Sequence, residues 1–132
     1  MVLPILEAMV CFLRKEGKTA LIDYRGYDHP LHKGYFSPPG GKIDWNESRE
    51  DGVRREVWEE QGIRVNDLTY RGAVFFNNER RSFGGKPAKW SFKVHYYDSY
   101  KFDDSLSKSK EGKLIWIADD SVSSLPMHEE TE

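Results

Sequence analysis

The chain has 132 residues, 38% hydrophobic and 32% charged, with a net charge of −2. That length and apolar content suit one domain with a modest core, and the near balance of charge argues against a general binder of nucleic-acid polymers or membrane surfaces. No apolar run approaches the roughly 20 residues of a membrane span, and Met1-Val2-Leu3-Pro4 has no basic region ahead of an apolar core, so neither a membrane segment nor a secretory leader is expected.

Residues 5–14 (ILEAMVCFLR) form an apolar run that predicts a strand buried in part on both faces. Cys11 lies inside it as the one cysteine, which excludes an internal disulfide; it reads as a small core residue in a reducing cytoplasm. Glu16-Gly17-Lys18 predicts a tight turn and residues 19–24 the return strand. A polar loop follows over 25–34, and then Phe36-Ser37-Pro38-Pro39-Gly40-Gly41-Lys42, where prolines stiffen the approach and glycines allow close contact with backbone or ligand. A helix is expected from Ser48, which with Asp51 has the form of a capping box, and Val53 and Val57 supply its inward stripe. Gly52 inside that helix costs about 1 kcal/mol against alanine, which marks close packing, and Gly62 stops it.

Beyond the helix, residues 68–76 predict a strand and 77–88 a charged, glycine-bearing connection, in which residues 79–86 read either as a flap over phosphates or as a solvated hairpin. Residues 89–97 alternate, with Trp90, Phe92, Val94 and Tyr96 facing one way and Ser91, Lys93 and His95 the other. Residues 114–118 are apolar on both faces and predict a central strand, and 119–125 a short helix. No internal repeat or low-complexity linker divides the chain, so residues 1–132 are expected to form one α+β domain.

The chemistry concentrates in residues 40–63, GGKIDWNESREDGVRREVWEEQGI. On a helix, Glu56, Glu59 and Glu60 fall at i, i+3 and i+4, so their carboxylates share one face and repel. Taken alone, such a face is usually just solvated. The spacing around it changes the odds: Gly41, five residues, Glu47, seven residues, Arg55-Glu56, aliphatic Val57, then Glu59-Glu60, one residue, Gly62 and aliphatic Ile63. This is the pattern G-x5-E-x7-R-E-U-x-E-E-x-G-U, with U aliphatic. A chance match in a chain this long is on the order of 10⁻⁸ at ordinary residue frequencies, so the coincidence is set aside.

Residues 41–63 thus resemble the Nudix box, and the chain is identified by resemblance as a Nudix hydrolase. The resemblance implies an α/β/α sandwich with a mixed central sheet and a loop-helix-loop. It also implies hydrolysis of a nucleoside diphosphate linked to a further moiety, with Mg²⁺ or Mn²⁺ as cofactor, as oxygen-rich ligand sets favour. The implied metal ligands are Glu56, Glu59 and Glu60 with the carbonyl of Gly40; Glu56 stays open as ligand or general base. The implied catalytic set is Glu47, Arg55, Glu56, Glu59 and Glu111, with Glu47 and Arg55 bracing loop against helix. Glu111, ahead of Gly112-Lys113-Leu114-Ile115-Trp116, is a further candidate ligand or base, against a solvated acid at a strand start. Arg25, Gly41 and Lys42 are candidates to meet phosphate, and Phe36 and Asn77 to meet a base. The two cations read equally as surface charges and the aromatic as core.

For the substrate, the resemblance points to the branch that hydrolyses 8-oxo-dGTP or ordinary nucleoside triphosphates. Glu111 to Trp116 and the late Leu125-Pro126-Met127-His128-Glu129 match it, whereas the proline of ADP-ribose-cleaving members and the tyrosine of dinucleoside-polyphosphate members are missing beyond the box. That branch commonly continues into a further helix, which residues 129–132 do not supply. The alternatives are another Nudix substrate, such as ADP-ribose or a dinucleoside polyphosphate, or a non-catalytic nucleotide-binding domain. Such domains usually lack a box glutamate, and here all are present. The expected partner is a small nucleotide, for a cytoplasmic monomer or homodimer.

Overall fold

The computed structural model describes residues 5–23, 36–78, 82–83, 86–87, 90–103 and 113–124. β1 (Ile5–Lys15) turns over Glu16-Gly17 into β2 (Lys18–Asp23). β3 (Phe36–Ser37), β4 (Gly40–Lys42) and α1 (Arg49–Gln61) follow. Then come β5 (Arg64–Val65), β6 (Thr69–Asn78), β7 (Ser82–Phe83), β8 (Lys86–Pro87) and β9 (Trp90–Ser99). β10 (Phe102–Asp103), β11 (Lys113–Ala118) and a 3-10 turn at Asp119–Ser124 complete the described chain.

A mixed sheet runs β11-β2-β1-β9-β6, with β3 paired to β2 and β4 to β1. β1 and β9 are parallel from Ile5↔Ser91 to Leu13↔Ser99; the other pairs in this sheet are antiparallel. One edge of β1 is therefore taken by β9 from Ile5 to Leu13, while the other is shared. β2 takes Arg14 and Lys15 near the turn, and β4 takes Ala8, Met9 and Val10. The segment from Phe36 to Lys42 thus enters the sheet where β1 and β2 part, and the Cys11 N–H donates to the Pro39 carbonyl at 2.9 Å to continue the ladder.

Side chains alternate across β1 as the pleat requires. Met9, Cys11 and Leu13 face α1 and form the main core with Val53, Val57, Ile63, Val65 and Tyr97. Val10, with Leu6, Ala8 and Phe12 packed around it, joins Val94, Phe76 and Tyr96 on the opposite face. Each fully buried Leu, Met or Val contributes about 1.5–3 kcal/mol of transfer free energy, so this double-sided strand is the main source of cohesion. Burial also pushes the Cys11 thiol up to about 12, which leaves it inert.

One expectation needs correction. Residues 114–118 are not central: β11 pairs with β2 at the end of the sheet path. The strand is apolar on both faces because Leu114 and Trp116 lean on the main core while Ile115 and Ile117 pack with Leu21 and Phe36. The alternation in β9 holds, and both of its faces are covered. His95 is 0% exposed, because its face is the one covered by α1, and the strand continues through buried Tyr97, Asp98 and Ser99. The short strands β3, β4, β5 and β10 were not anticipated; two or three residues carry no readable period. Residues 77–88 include the antiparallel pair β7–β8, the hairpin alternative for that connection.

A β-carbon on Gly40 would run into the Met9 carbonyl of β1, backbone that is held on its far edge by β9. Gly40→Ala should therefore lower unfolding free energy by about 1–3 kcal/mol in urea titration. An unchanged midpoint would show that β4 does not need this close approach.

Candidate active site

The helix that carries the acids is defined at both ends. Ser48 is its N-cap, accepting from the Asp51 N–H at 3.1 Å. Gly62 closes it in the left-handed region at φ 67°, its N–H donating to the Trp58 carbonyl at 2.9 Å. Between them, Val53 and Val57 are fully buried and anchor the inner face. The Ile43 N–H donates to the Glu7 carbonyl at 2.9 Å, fixing the loop that leads from β4 to the helix.

Glycines set the clearances. A β-carbon on Gly41 would lie 2.5 Å from Glu56 Oε2, so only glycine lets that carboxylate lie against the diglycine bend. At Gly52 the β-carbon would be 2.9 Å from Glu47 Oε1 and 3.3 Å from Ile43 Cγ2. The mid-helix glycine is the space in which Glu47 sits.

Arg55 binds this arrangement together. Its Nη2 donates to Glu47 Oε1 at 2.7 Å and its Nε to Glu47 Oε2 at 3.0 Å, a bidentate pair. Nη2 also donates to the Lys42 carbonyl at 3.2 Å and lies 3.5 Å from Asp44 Oδ2. Nη1 donates to Glu56 Oε1 at 3.1 Å and Glu59 Oε2 at 3.2 Å. The hydrogen bonds from Arg55, aided by that from the Asp44 N–H, bring the Glu47 carboxyl down to about 2. The same pairing with Glu47 pushes the guanidinium above its already high value.

Glu56 behaves differently. Burial raises its carboxyl above the ordinary range, and a hydrogen bond shared with Glu60 together with the Arg55 charge offsets only part of that. Glu59 and Glu60 lie in the last turn, where no basic residue accompanies them. Acids there oppose the helix dipole, whose C-terminal end is negative. Among the described residues no three His, Cys, Asp or Glu side chains are gathered at one point: Glu59 is turned to Arg55, while Glu56 and Glu60 meet each other. One guanidinium nitrogen holds Glu56 and Glu59 close together, which two like charges alone would resist. The donor set is nonetheless all oxygen, concentrated beside a bend with no side chain of its own, which fits a hard divalent ion such as Mg²⁺.

With this geometry in view, the comparison with known proteins is decisive. The model of the NUDIX domain matches residues 4–130. This chain belongs to the Nudix family. Its members are pyrophosphohydrolases that act on small nucleotide substrates, generally with divalent metal ions. The chain is 30% identical over 117 residues to the uncharacterized Nudix hydrolase YvcI of Bacillus subtilis (strain 168), covering 89% of this chain and 68% of that protein. It is 27% identical over 95 residues to the putative 8-oxo-dGTP diphosphatase 3 of Mycobacterium tuberculosis, covering 72% of this chain and 42% of that one. In fold it is similar to the MutT NUDIX hydrolase from Burkholderia pseudomallei, with TM-score 0.77 at 22% identity over 96% of this chain and 93% of that one. The MutT protein from Bacillus halodurans gives TM-score 0.72 at 25% identity, covering 94% and 75%.

The structure thus brings Gly41, Glu47, Arg55, Glu56, Glu59 and Glu60 of the Nudix box, with Gly40 just ahead of it, into one neighbourhood. Lys42 is exposed beside it and lends its carbonyl to Arg55. Phe36 is placed elsewhere: it is 2% exposed and packs with Leu21, the core alternative rather than a wall for a base. The reason is its position in β3, between β2 and the sheet interior. Asn77 lies in β6 opposite Ser91, with only its backbone described. Arg25, Glu111 and the segment 125–129 lie outside the described residues.

A second polar network was missed. His95 Nε2 lies 3.0 Å from Glu7 Oε1, and its Nδ1 lies 2.9 Å from the Tyr70 hydroxyl and 3.2 Å from Arg49 Nη1. Arg49 also sits 4.8 Å from the centroid of the Tyr70 ring. The cluster joins the first residue of α1 to β1, β6 and β9. A signal existed, since His95 is paired with core-facing Met9, but that register belongs to a parallel pairing distant in sequence.

Because the folded Glu47 carboxyl lies near 2, below its ordinary 4.5, the pair stabilises the fold fully above pH 4.5 and loses that effect as the pH falls toward 2. Urea titrations of wild type and Glu47→Gln should therefore differ by a constant amount above pH 4.5. The gap should shrink below it, and a constant gap throughout would deny the ion pair its role.

Proposed function

We propose that this protein is a Mg²⁺-dependent nucleoside triphosphate diphosphatase that takes 8-oxo-dGTP or a related triphosphate and releases nucleoside monophosphate and pyrophosphate. The observation that carries this reading is the Arg55-centred array, which holds Glu47, Glu56 and Glu59 beside Gly41. The substrate class is supported by the similarity to the putative 8-oxo-dGTP diphosphatase 3 of Mycobacterium tuberculosis and by the run from Glu111 to Trp116. Mn²⁺ would suit the same donors.

In the reaction one water adds across a phosphoanhydride. Its oxygen bonds to phosphorus, the bridging oxygen leaves with one product, and a proton passes to a carboxylate. A bound divalent ion supplies charge neutralisation and a more acidic water. Glu56, Glu59, Glu60 and the Gly40 carbonyl are the groups that would hold it, with Glu56 or Glu111 as the base. Arg55 acts by position: it fixes the loop from Lys42 to Glu47 against the helix, so that both sides of the site keep their spacing. Small nucleotides and a buried, reduced Cys11 suit the cytoplasm.

A substrate screen with Mg²⁺ across 8-oxo-dGTP, the four dNTPs, ADP-ribose and diadenosine polyphosphates should show triphosphates turned over best. Pyrophosphate should be released and activity abolished by EDTA. Glu60→Gln and Arg55→Ala should each lower kcat about 10²-fold or more. Fastest turnover of ADP-ribose would overturn the substrate assignment; no turnover of any compound would favour a binding domain. Full activity in Arg55→Ala would remove its positioning role.

A further inference from the structure

The back of the acidic helix has its own cavity. Arg54 and Trp58, at i and i+4, project from α1 roughly 180° away from Glu56. With Arg55, Arg64 and Val65 they line a depression of about 320 Å³, within the range of small-molecule sites. No acid lines it. The Arg55 charge is spent on Glu47, Glu56 and Glu59, but those of Arg54 and Arg64 are not. Among the described residues neither has a carboxylate within ion-pair distance. Arg54 makes one long contact, 3.5 Å from its Nη2 to the Asn66 carbonyl, and the Arg64 guanidinium lies 5.1 Å from the centre of the Trp58 ring. Asp103 is the cross-strand neighbour of Arg64, yet the guanidinium lies over the indole instead. Trp58 itself is 42% exposed.

We propose that this depression is a second site, separate from the acidic cleft, for a nucleoside phosphate: Arg54 and Arg64 take the phosphate and the Arg64–Trp58 pair stacks on the base. Guanidinium forks match phosphate oxygens, and an indole with an adjacent guanidinium presents a flat surface on which a planar ring rests. In a chain of net charge −2, two unpaired guanidiniums beside an open indole form the one recess, among the described residues, whose chemistry suits an anion with a flat group. The inference does not depend on which compound the cleft hydrolyses.

The test is a titration of the full chain with AMP in EDTA, followed by tryptophan fluorescence and by calorimetry. Wild type should bind saturably, with the optical change lost in Trp58→Phe. The double variant Arg54→Ala/Arg64→Ala should weaken binding about tenfold or more while turnover stays unchanged. Arg54→Lys/Arg64→Lys should recover part of the loss. Glu60→Gln should bind as wild type. Adenosine alone and inorganic phosphate alone should each bind more weakly than AMP. Absence of binding, wild-type affinity in the double alanine variant, or loss in Glu60→Gln would overturn the proposal. So would equal affinity for adenosine, which makes the guanidiniums irrelevant, or for inorganic phosphate, which makes the indole so.

Discussion

The bidentate pair between Arg55 and Glu47 joins two parts of the chain that meet nowhere else so tightly. Glu47 belongs to the loop after β4 and Arg55 to the middle of α1, and the 2.7 and 3.0 Å contacts between them fix how far the diglycine bend stands from the helix. That distance decides whether Glu56 lies against Gly41. The same guanidinium reaches Glu56 and Glu59, so it also spaces the acids. Both side chains are half-buried, and ion pairs that keep contact with solvent usually contribute little to stability. Its value here is positional, because it couples two rigid elements through one planar group with a fixed fork of donors.

The local sequence accepts several unfavourable choices to build this. A glycine stands in the helix interior, two acids stand at the negative end of the dipole, and a carboxylate is partly buried beside another. Each costs a fraction of a kcal/mol to about 1 kcal/mol on helix scales. Within the helix only Arg55 offsets part of this, through Glu56 and Glu59. Rule-breaking that is concentrated in one stretch marks a site where stability has been given up for function. The double-sided core around β1 offsets it, since Met9, Cys11 and Leu13 on one face and Val10 on the other are all buried.

Much of this was legible in the sequence because it is local. The box residues fall within a short span, so helical spacing placed the three acids on one face, and the resemblance to the Nudix box paired Glu47 with Arg55. Caps at Ser48 and Gly62 and the inward Val53 and Val57 follow from helical periodicity. What was not legible depends on long-range pairing. β1 lies parallel to β9 across more than half the chain, and nothing in either strand announces that register. The burial of His95 and the insertion of β3 and β4 between β1 and β2 all follow from it or from contacts like it. β11 illustrates the opposite error: apolar residues on both faces report that both faces are covered, not that both edges are paired. Phe36 shows the same limit, since an aromatic next to an active loop looks alike in sequence whether it packs inward or outward.

The two polar networks together explain why the acids need little rearrangement to be useful. At its first residue α1 is tied through Arg49 to His95 and Tyr70, and through His95 to Glu7 of β1. At its middle it is tied through Arg55 to Glu47 and the Lys42 carbonyl of β4. Val53 and Val57 fill the space between these ties, and Gly62 ends the helix in a single conformation. A helix held at two points along its axis cannot rotate or slide, so the backbone positions of Glu56, Glu59 and Glu60 are set before any ligand arrives. The freedom that remains is in the side chains, and Glu59, the most exposed of the three, has the most of it. Placement accounts for most of the catalytic effect in phosphoryl transfer. The ties at Arg49 and Arg55, neither of which need touch the reacting phosphorus, are therefore as much part of the hydrolase as the carboxylates they position.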